Sequence, residues 1–402
     1  MEQGMLDGVC VLDFTRVLAG PHCTRMLSDL GARVIKVERP GEGDEMRRAP
    51  LKLPGDGDQS TYFARRNAGK QSIAIDLSIP DGQALVASLV RHVDVVVENF
   101  VPGVASKLGI DYESLSAVKP DIIYCSISGY GQTGPEARQG AFAHVVAAAS
   151  GIMHLDSDDG GPRSSHLQAA DVLAGTNAFG GIVSALYRRS RTGQGAYIDV
   201  SMLESLIAGE DIAFGAVPNG GESVGGARPG MGVSNVGGRF IAWQSGGAPT
   251  LWPRLCAAMG RPELQHNADF ATAEARRERW HALRQMVSDW LATYGTPEAA
   301  LAALREARIP CAPVLTPEEV VAAPQLVARG TFQEVSHAGN GRVKVTTSPY
   351  WIDGEPVQAT GPAPYLIGEH TTDILRELLG ASNEDIETLI AAGAIAVAPP
   401  AT

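Results

Sequence analysis

Little in this chain serves chemistry that depends on cysteine, on basic runs or on long apolar segments. Only five cysteines occur (Cys10, Cys23, Cys125, Cys256 and Cys311), odd in number, scattered, and without a C-x-x-C spacing. They outline neither a disulfide framework nor a zinc site, and they point to a reducing compartment. No apolar run approaches the ~18 residues of a membrane span. The start, MEQGMLDGVCVLDF, lacks the basic segment and apolar core of a secretory signal. A cytoplasmic protein without a membrane partner is therefore expected. Lysine and arginine form no long runs and the net charge is −12, which argues against a nucleic-acid partner. H-E-x-x-H and G-x-S-x-G are both missing and the nine histidines are dispersed. Neither a metal site nor a serine-hydrolase elbow is expected.

What is present is an ordinary globular composition, 44% hydrophobic and 19% charged over 402 residues. That length favours two domains. Strand and helix signals alternate through the first 130 or so residues: GVCVLDF, ARVIKVER, QSIAIDL, DVVVENF and DIIYCSIS are apolar strands, separated by amphipathic stretches such as PDGQALVASLVRHV. Such alternation predicts an α/β fold whose parallel sheet is covered on both faces. Residues 218–238 are rich in glycine and read as a linker. A smaller unit follows, with a strand at RFIAW and helices at PTLWPRLCAAMG, ARRERWHALRQMVSDWLATY and TPEAALAALREA. The C-terminal part most simply returns to the first domain.

Two nucleotide-like motifs fail on inspection. GYGQTG follows a strand, but Pro135 comes next and no amphipathic pattern opens behind it, so a dinucleotide site is not expected. In NAGKQS, Gln71 replaces the Ser/Thr of a P-loop and Ala64 stands where its first glycine belongs.

One residue is conspicuous. In QAADVLAGTNAFGGIVSAL, residues 168–186, Asp171 is the only charged side chain. It reads either as the N-cap of the helix that follows or as a placed nucleophile.

Several segments in order resemble one family: LAGPHCTRMLSDLGARVIKVERPGEGD, NAGKQSIAIDL, DVVVENFVPGVASKLG, SISGYGQTGP, ADVLAGTNAFGGIVSALYRRSRTGQGAYIDVSML, RIPCAPVLTPEEV, ARGTFQEV and GEHTTDILRELLG. The chain resembles the class III CoA-transferases, the family of formyl-CoA:oxalate and carnitine CoA-transferases that also includes α-methylacyl-CoA racemase. The resemblance implies a large Rossmann-like domain built from both chain ends, a smaller α+β domain between them, and an interlocked homodimer. The expected boundaries are 1–217 for the first part of the CoA-binding domain, 218–238 for the linker, 239–325 for the small domain and 326–402 for the return segment.

The resemblance also implies a CoA-transferase that takes an acyl-CoA and a carboxylic acid as substrates and needs no resident cofactor. Asp171 matches the family's nucleophile. Arg39, Asn99 and Phe100 match its nucleotide-contacting residues, and Lys107 falls where formyl-CoA transferase has an arginine. Gly230 and Gly232, in PGMG, are either linker glycines or oxyanion donors of a mobile loop. Arg228 is a surface charge or a clamp for a second carboxylate, which would suit a dicarboxylic acid.

Departures from the family pattern bear on the pocket. Leu18 replaces the Gln of formyl-CoA transferase, and Ala143 and Ala147 replace polar residues of many relatives. The acceptor pocket is therefore not expected to be of the oxalate type. The racemase alternative requires two bases, but Phe142 and Ala248 occupy their positions, with His144 two residues from the first. A non-catalytic acyl-CoA-binding protein is the third reading. Retention of Asp171 speaks against it.

Overall fold

The alternating strands close into one sheet. The computed structural model describes residues 4–55, 57–157, 161–223, 230–246 and 248–399. Strands β1 (Cys10–Asp13), β2 (Arg33–Glu38), β3 (Gln71–Ile75), β4 (Val95–Glu98), β5 (Ile123–Ser128) and β6 (Ala196–Ser201) pair in parallel, in the order β3-β2-β1-β4-β5-β6. A seventh strand, Ile395–Ala396, adds beside β3 and runs antiparallel to it. The sheet is thus mixed rather than purely parallel, with the far end of the chain sealing one edge.

Period-two alternation sends successive residues of each strand to opposite faces. Leu12, Ile35, Ile73 and Val96 pack on one side with Val86, Leu89, Ile374 and Leu375. Val11, Val34, Val95 and Val97 pack on the other with Cys23, Leu27, Ala174, Ala178 and Ile182. The second face is covered by the helices Ala19–Asp29 and Ala169–Thr192. The latter is long and apolar enough to cross a membrane by length and composition. Here one face of it packs in the core, burying Ala170, Ala174, Gly175, Ala178, Ile182 and Ala185. Its small residues allow tight approach: a Cβ at Gly175 would stand 2.5 Å from the Ala19 carbonyl oxygen.

A buried ionic cluster fixes the loops behind the sheet. Lys70 pairs with Asp13 at 2.9 Å and Lys36 with Asp44 at 3.0 Å, all four side chains being almost fully buried. Arg47 grips both Glu38 carboxylate oxygens, at 2.8 and 2.7 Å. Such pairs repay their desolvation only with good geometry and so specify one loop conformation more than they add stability. The lysine of the P-loop-like NAGKQS is thereby locked in the core.

The chain divides into two compact units, one of residues 1–153, 164–223 and 325–402 and one of residues 154–163 and 224–324. The smaller holds an antiparallel sheet of Met231–Val236, Arg239–Gln244 and Cys311–Pro313. Its core gathers Trp243, Trp252, Trp280, Leu283, Val287 and Leu304. Residues 231–236, within the stretch read as linker, are therefore a strand. The charged segment read as one helix is two, Ala273–Glu278 and Trp280–Ala292, broken at Arg279.

Candidate active site

The strand order reverses between β1 and β4, and in such sheets the crevice at the strands' C-terminal ends is where ligands bind. Phe14–Leu18 leaves β1 there, and Asn99–Phe100 leaves β4. The two segments are tied together, since the Asn99 amide accepts from the Arg16 N–H and donates to the Arg16 carbonyl, both at 2.8 Å. Lys36 donates to the Thr15 carbonyl at 2.6 Å, and the Val17 N–H donates to Asp44 at 3.4 Å. So held, Val17 takes φ +67°, a left-handed conformation that is rare for a β-branched residue. Strain of that kind persists where the surroundings over-determine it, often at functional sites.

Two cavities meet at this loop. One, of about 250 Å³, is walled by Phe14, Arg16, Arg39, Glu42, Asp76 and Ser78 among others. The second, of about 270 Å³, is lined by Val17, Ala19, Gly129, Phe142, Met202 and Asp171 among others. Arg16, Phe100 and Val104 belong to both walls. The Arg16 guanidinium lies 5.1 Å from the Phe100 ring centroid, a cation–π contact.

Asp171 corrects one expectation. The N-cap of its helix is Gln168, which makes no side-chain cap bond, and Asp171 is the third residue of the first turn. Asp171 is therefore not the N-cap residue, and the first-turn amide its carboxylate engages is its own. Burial raises its pKa, while the Ala19 N–H, Arg66 and its own amide pull it down, and it settles at about 6. Ala19 opens the first helix, whose own N-cap, Leu18, also makes no side-chain cap bond. An uncapped helix start beside a carboxylate offers N–H groups where negative charge can develop.

Other expected site residues divide. Arg39 stands on the first cavity, its side chain 62% exposed and paired among the described residues with Glu42 at 3.3 Å. Phe100 lines both cavities. Asn99 lines the second, but its amide is engaged with Arg16. Lys107 is exposed at the end of the short helix Val104–Lys107 and lines neither cavity. Gly230 and Gly232 belong to the smaller unit, and each has a packing reason to be glycine. Gly230 has φ +90°, and a Cβ at Gly232 would fall 2.1 Å from the Trp243 ring. Arg228 lies outside the described residues. Ser164, Ser165 and His166, just before the Asp171 helix in sequence, are exposed and outside both cavities. GYGQTG runs from the end of β5 without opening a helix, and its Gly129 lines the Asp171 cavity.

Three residues escaped sequence reading. Arg16 and Val17 sit in TRVLAGP with no local mark of their role. Glu98, at the end of β4, is buried, and its carboxylate accepts the Phe100 N–H at 2.7 Å. Burial pushes its pKa up to about 7, against the Ser126 hydroxyl and the Phe100 amide.

Residues 6–371 match CoA-transferase family III. The chain belongs to that family. Human succinyl-CoA:glutarate CoA-transferase is 34% identical over 398 residues, which cover 97% of this chain and 90% of that protein. The formyl-CoA:oxalate CoA-transferase of Rhodopseudomonas palustris strain BisA53 is 33% identical over 424 residues, 97% of each chain. The crystal structure of a CaiB/BaiF family protein from Brucella suis superposes with a TM-score of 0.79 at 32% identity, covering 94% of this chain and 100% of that one.

Membership of family III makes the protein a CoA-transferase that moves CoA between acyl groups. The site agrees with that chemistry better than with racemisation. Phe142, where a racemase base would stand, is on the cavity wall and cannot accept a proton. His144 is exposed and outside the lining, and Ala248 lies in the smaller unit.

Proposed function

We propose that Asp171 is the residue on which this CoA-transferase carries CoA, and that the two cavities at the switch point hold the incoming thioester. The observation that carries the reading is the shared wall. Arg16, Phe100 and Val104 join the cavity bearing Arg39 to the one bearing Asp171. The nucleotide would lie toward Arg39, with Arg16 as a second cation, and the pantetheine arm would run past Phe100 to bring the thioester to Asp171.

The ionised carboxylate attacks the acyl carbonyl and expels CoA thiolate, a weakly basic leaving group. The product is a mixed anhydride. The thiolate then attacks the aspartyl carbonyl, releases the donor acid and leaves an aspartyl-CoA thioester. The incoming acid attacks that thioester, forming a second anhydride and freeing CoA thiolate again. Attack of the thiolate on the new acyl carbonyl yields product and restores Asp171. Each step passes through a tetrahedral oxyanion, for which the Ala19 N–H at the uncapped helix start is a suitable donor. This assigns the oxyanion role within the larger unit, with Gly230 and Gly232 as structural glycines.

The relatives' names supply the substrate class: a coenzyme A thioester as donor and a short carboxylic acid as acceptor, with succinyl-CoA and glutarate the first pair to assay. The active species in this reading is an interlocked homodimer, which would cover exposed apolar side chains such as Phe142, Leu167 and Tyr187. A screen of carboxylic acids with succinyl-CoA and acetyl-CoA, run on wild type and Asp171→Asn, tests the proposal. Exchange should be found with at least one acid and fall by orders of magnitude in the variant. Normal exchange by Asp171→Asn would refute it.

A further inference from the structure

A cation acts on Asp171 that the transfer steps leave unused. Arg66, on the helix Thr61–Asn67, lowers the Asp171 pKa. Yet the two form no ion pair within 4.0 Å, and among the described residues Arg66 pairs with no other carboxylate. Its hydrogen bond goes instead to a histidine, Nη1 to His22 Nδ1 at 3.0 Å.

That choice of partner has a consequence for charge. Because Nδ1 accepts, the proton of the neutral imidazole sits on Nε2, which faces the Thr176 hydroxyl at 3.4 Å. Thr176 in turn donates to the Val172 carbonyl at 2.8 Å. Burial and the neighbouring cations push the His22 pKa down to about 4, so the ring stays neutral. A guanidinium carries five N–H donors. The imidazole takes one and neutralises nothing. A carboxylate at position 22 would have quenched the charge; the histidine orients it and leaves it available.

The location is fixed by packing as well. Gly175 lies one turn beyond Asp171 on the same helix face. A Cβ there would come within 3.0 Å of the His22 ring. Asp171, Gly175, His22 and Arg66 therefore form one contiguous cluster. Neither His22 nor Arg66 lines the cavity that reaches Asp171 from the switch point.

We infer that Arg66, oriented by His22, receives the free carboxylate of a dicarboxylic substrate whose other carboxyl group reacts at Asp171. The inference rests on the Asp171 reading above. CoA comes from the cavity side, and the far end of the acid is held from the side of the helix Thr61–Asn67. Arginine suits the task because its fork matches a carboxylate with two parallel hydrogen bonds, and partial burial strengthens them. An Arg66 that merely kept Asp171 ionised would affect every acid alike. A receptor for the second carboxylate affects only acids that have one.

The test compares kcat/KM for glutarate and for valerate, acids of equal chain length, with acetyl-CoA as donor. Wild type should favour glutarate. In Arg66→Gln the ratio should fall roughly tenfold to a hundredfold, as for loss of charge-assisted hydrogen bonds, with Arg66→Lys restoring part of it. His22→Asp should depress the ratio with the arginine still present, because the new carboxylate pairs with it. A ratio unchanged in Arg66→Gln, whether both acids weaken together or both hold, overturns the inference. Incubation of wild type with acetyl-CoA alone keeps the two claims apart. A CoA adduct at Asp171 together with an unchanged ratio removes the Arg66 receptor only. Absence of the adduct removes the Asp171 reading and the receptor with it.

Discussion

Asn99 grips Arg16 from both sides, its Oδ1 taking the Arg16 N–H and its Nδ2 giving a hydrogen bond to the Arg16 carbonyl, each at 2.8 Å. The pair bridges the ends of β1 and β4, where the strand order reverses. Asn99 thereby acts on the cavity through Arg16, which stands on both walls, and through the strained turn at Val17.

Removing that grip should loosen the CoA site without touching the reacting carboxylate. Asn99→Ala loses two hydrogen bonds, each worth about 1 kcal/mol net. The KM for acyl-CoA should rise roughly tenfold or more while kcat changes less. Asn99→Asp keeps the acceptor for the Arg16 N–H but sets a carboxylate against the Arg16 carbonyl, so it should rescue little. Steady-state kinetics with varied acyl-CoA decides; a fall confined to kcat would contradict the positioning role.

The pH dependence of the reaction follows from Asp171. Only the ionised carboxylate attacks, and it titrates at about 6. The kcat/KM for acyl-CoA should therefore climb with pH through about 6 and level off above it. Arg66 favours the ionised form, so in Arg66→Gln the rise should move to higher pH. A profile that is flat from about pH 5 to 8, or one that moves the other way in the variant, would contradict this assignment.

The same shift makes Asp171 a cost to the fold. Its folded pKa of about 6 exceeds the ordinary 3.8, so folding favours the protonated form. That contribution is fully present below the unfolded value and is lost as pH rises through about 6. Asparagine has no such loss. Asp171→Asn should gain stability over wild type between pH 4 and 7, reaching roughly 1–3 kcal/mol. Melting temperatures across that range measure it. A variant less stable than wild type at pH 7 would mean that the charge chiefly stabilises the first turn of its helix.

The main sheet was legible because its strands are continuous apolar runs and its helices amphipathic, so local period and tertiary position agree. Disagreements arose where tertiary contacts set the structure. Met231–Val236 was hidden because its buried positions are Gly232, Ser234 and Val236. Two of these carry no apolar signal, and Gly232 is small because the Trp243 ring lies on it. The direction of Ile395–Ala396 is set by the chain's return path, which two residues cannot encode. Asp171 could be read from sequence either as a cap or as a nucleophile, because Asp caps well, but the helix begins earlier, at a Gln168 that makes no cap bond. The family motifs pointed to Asp171, Arg39 and Phe100, each of which lines one or both cavities. The pairing of His22 with Arg66 spans 44 residues and leaves no periodic trace. Only the fold brings those two side chains together.

The most direct measurement concerns the covalent state of Asp171. Enzyme incubated with an acyl-CoA donor and no acceptor acid should accumulate CoA attached to this side chain. Hydroxylamine should attack the thioester and convert Asp171 to its hydroxamate, a change that peptide mass spectrometry locates to the residue. The account predicts that label at Asp171 in wild type and none in Asp171→Asn. An unlabelled Asp171 in enzyme that turns over, or a label on another residue, would contradict it.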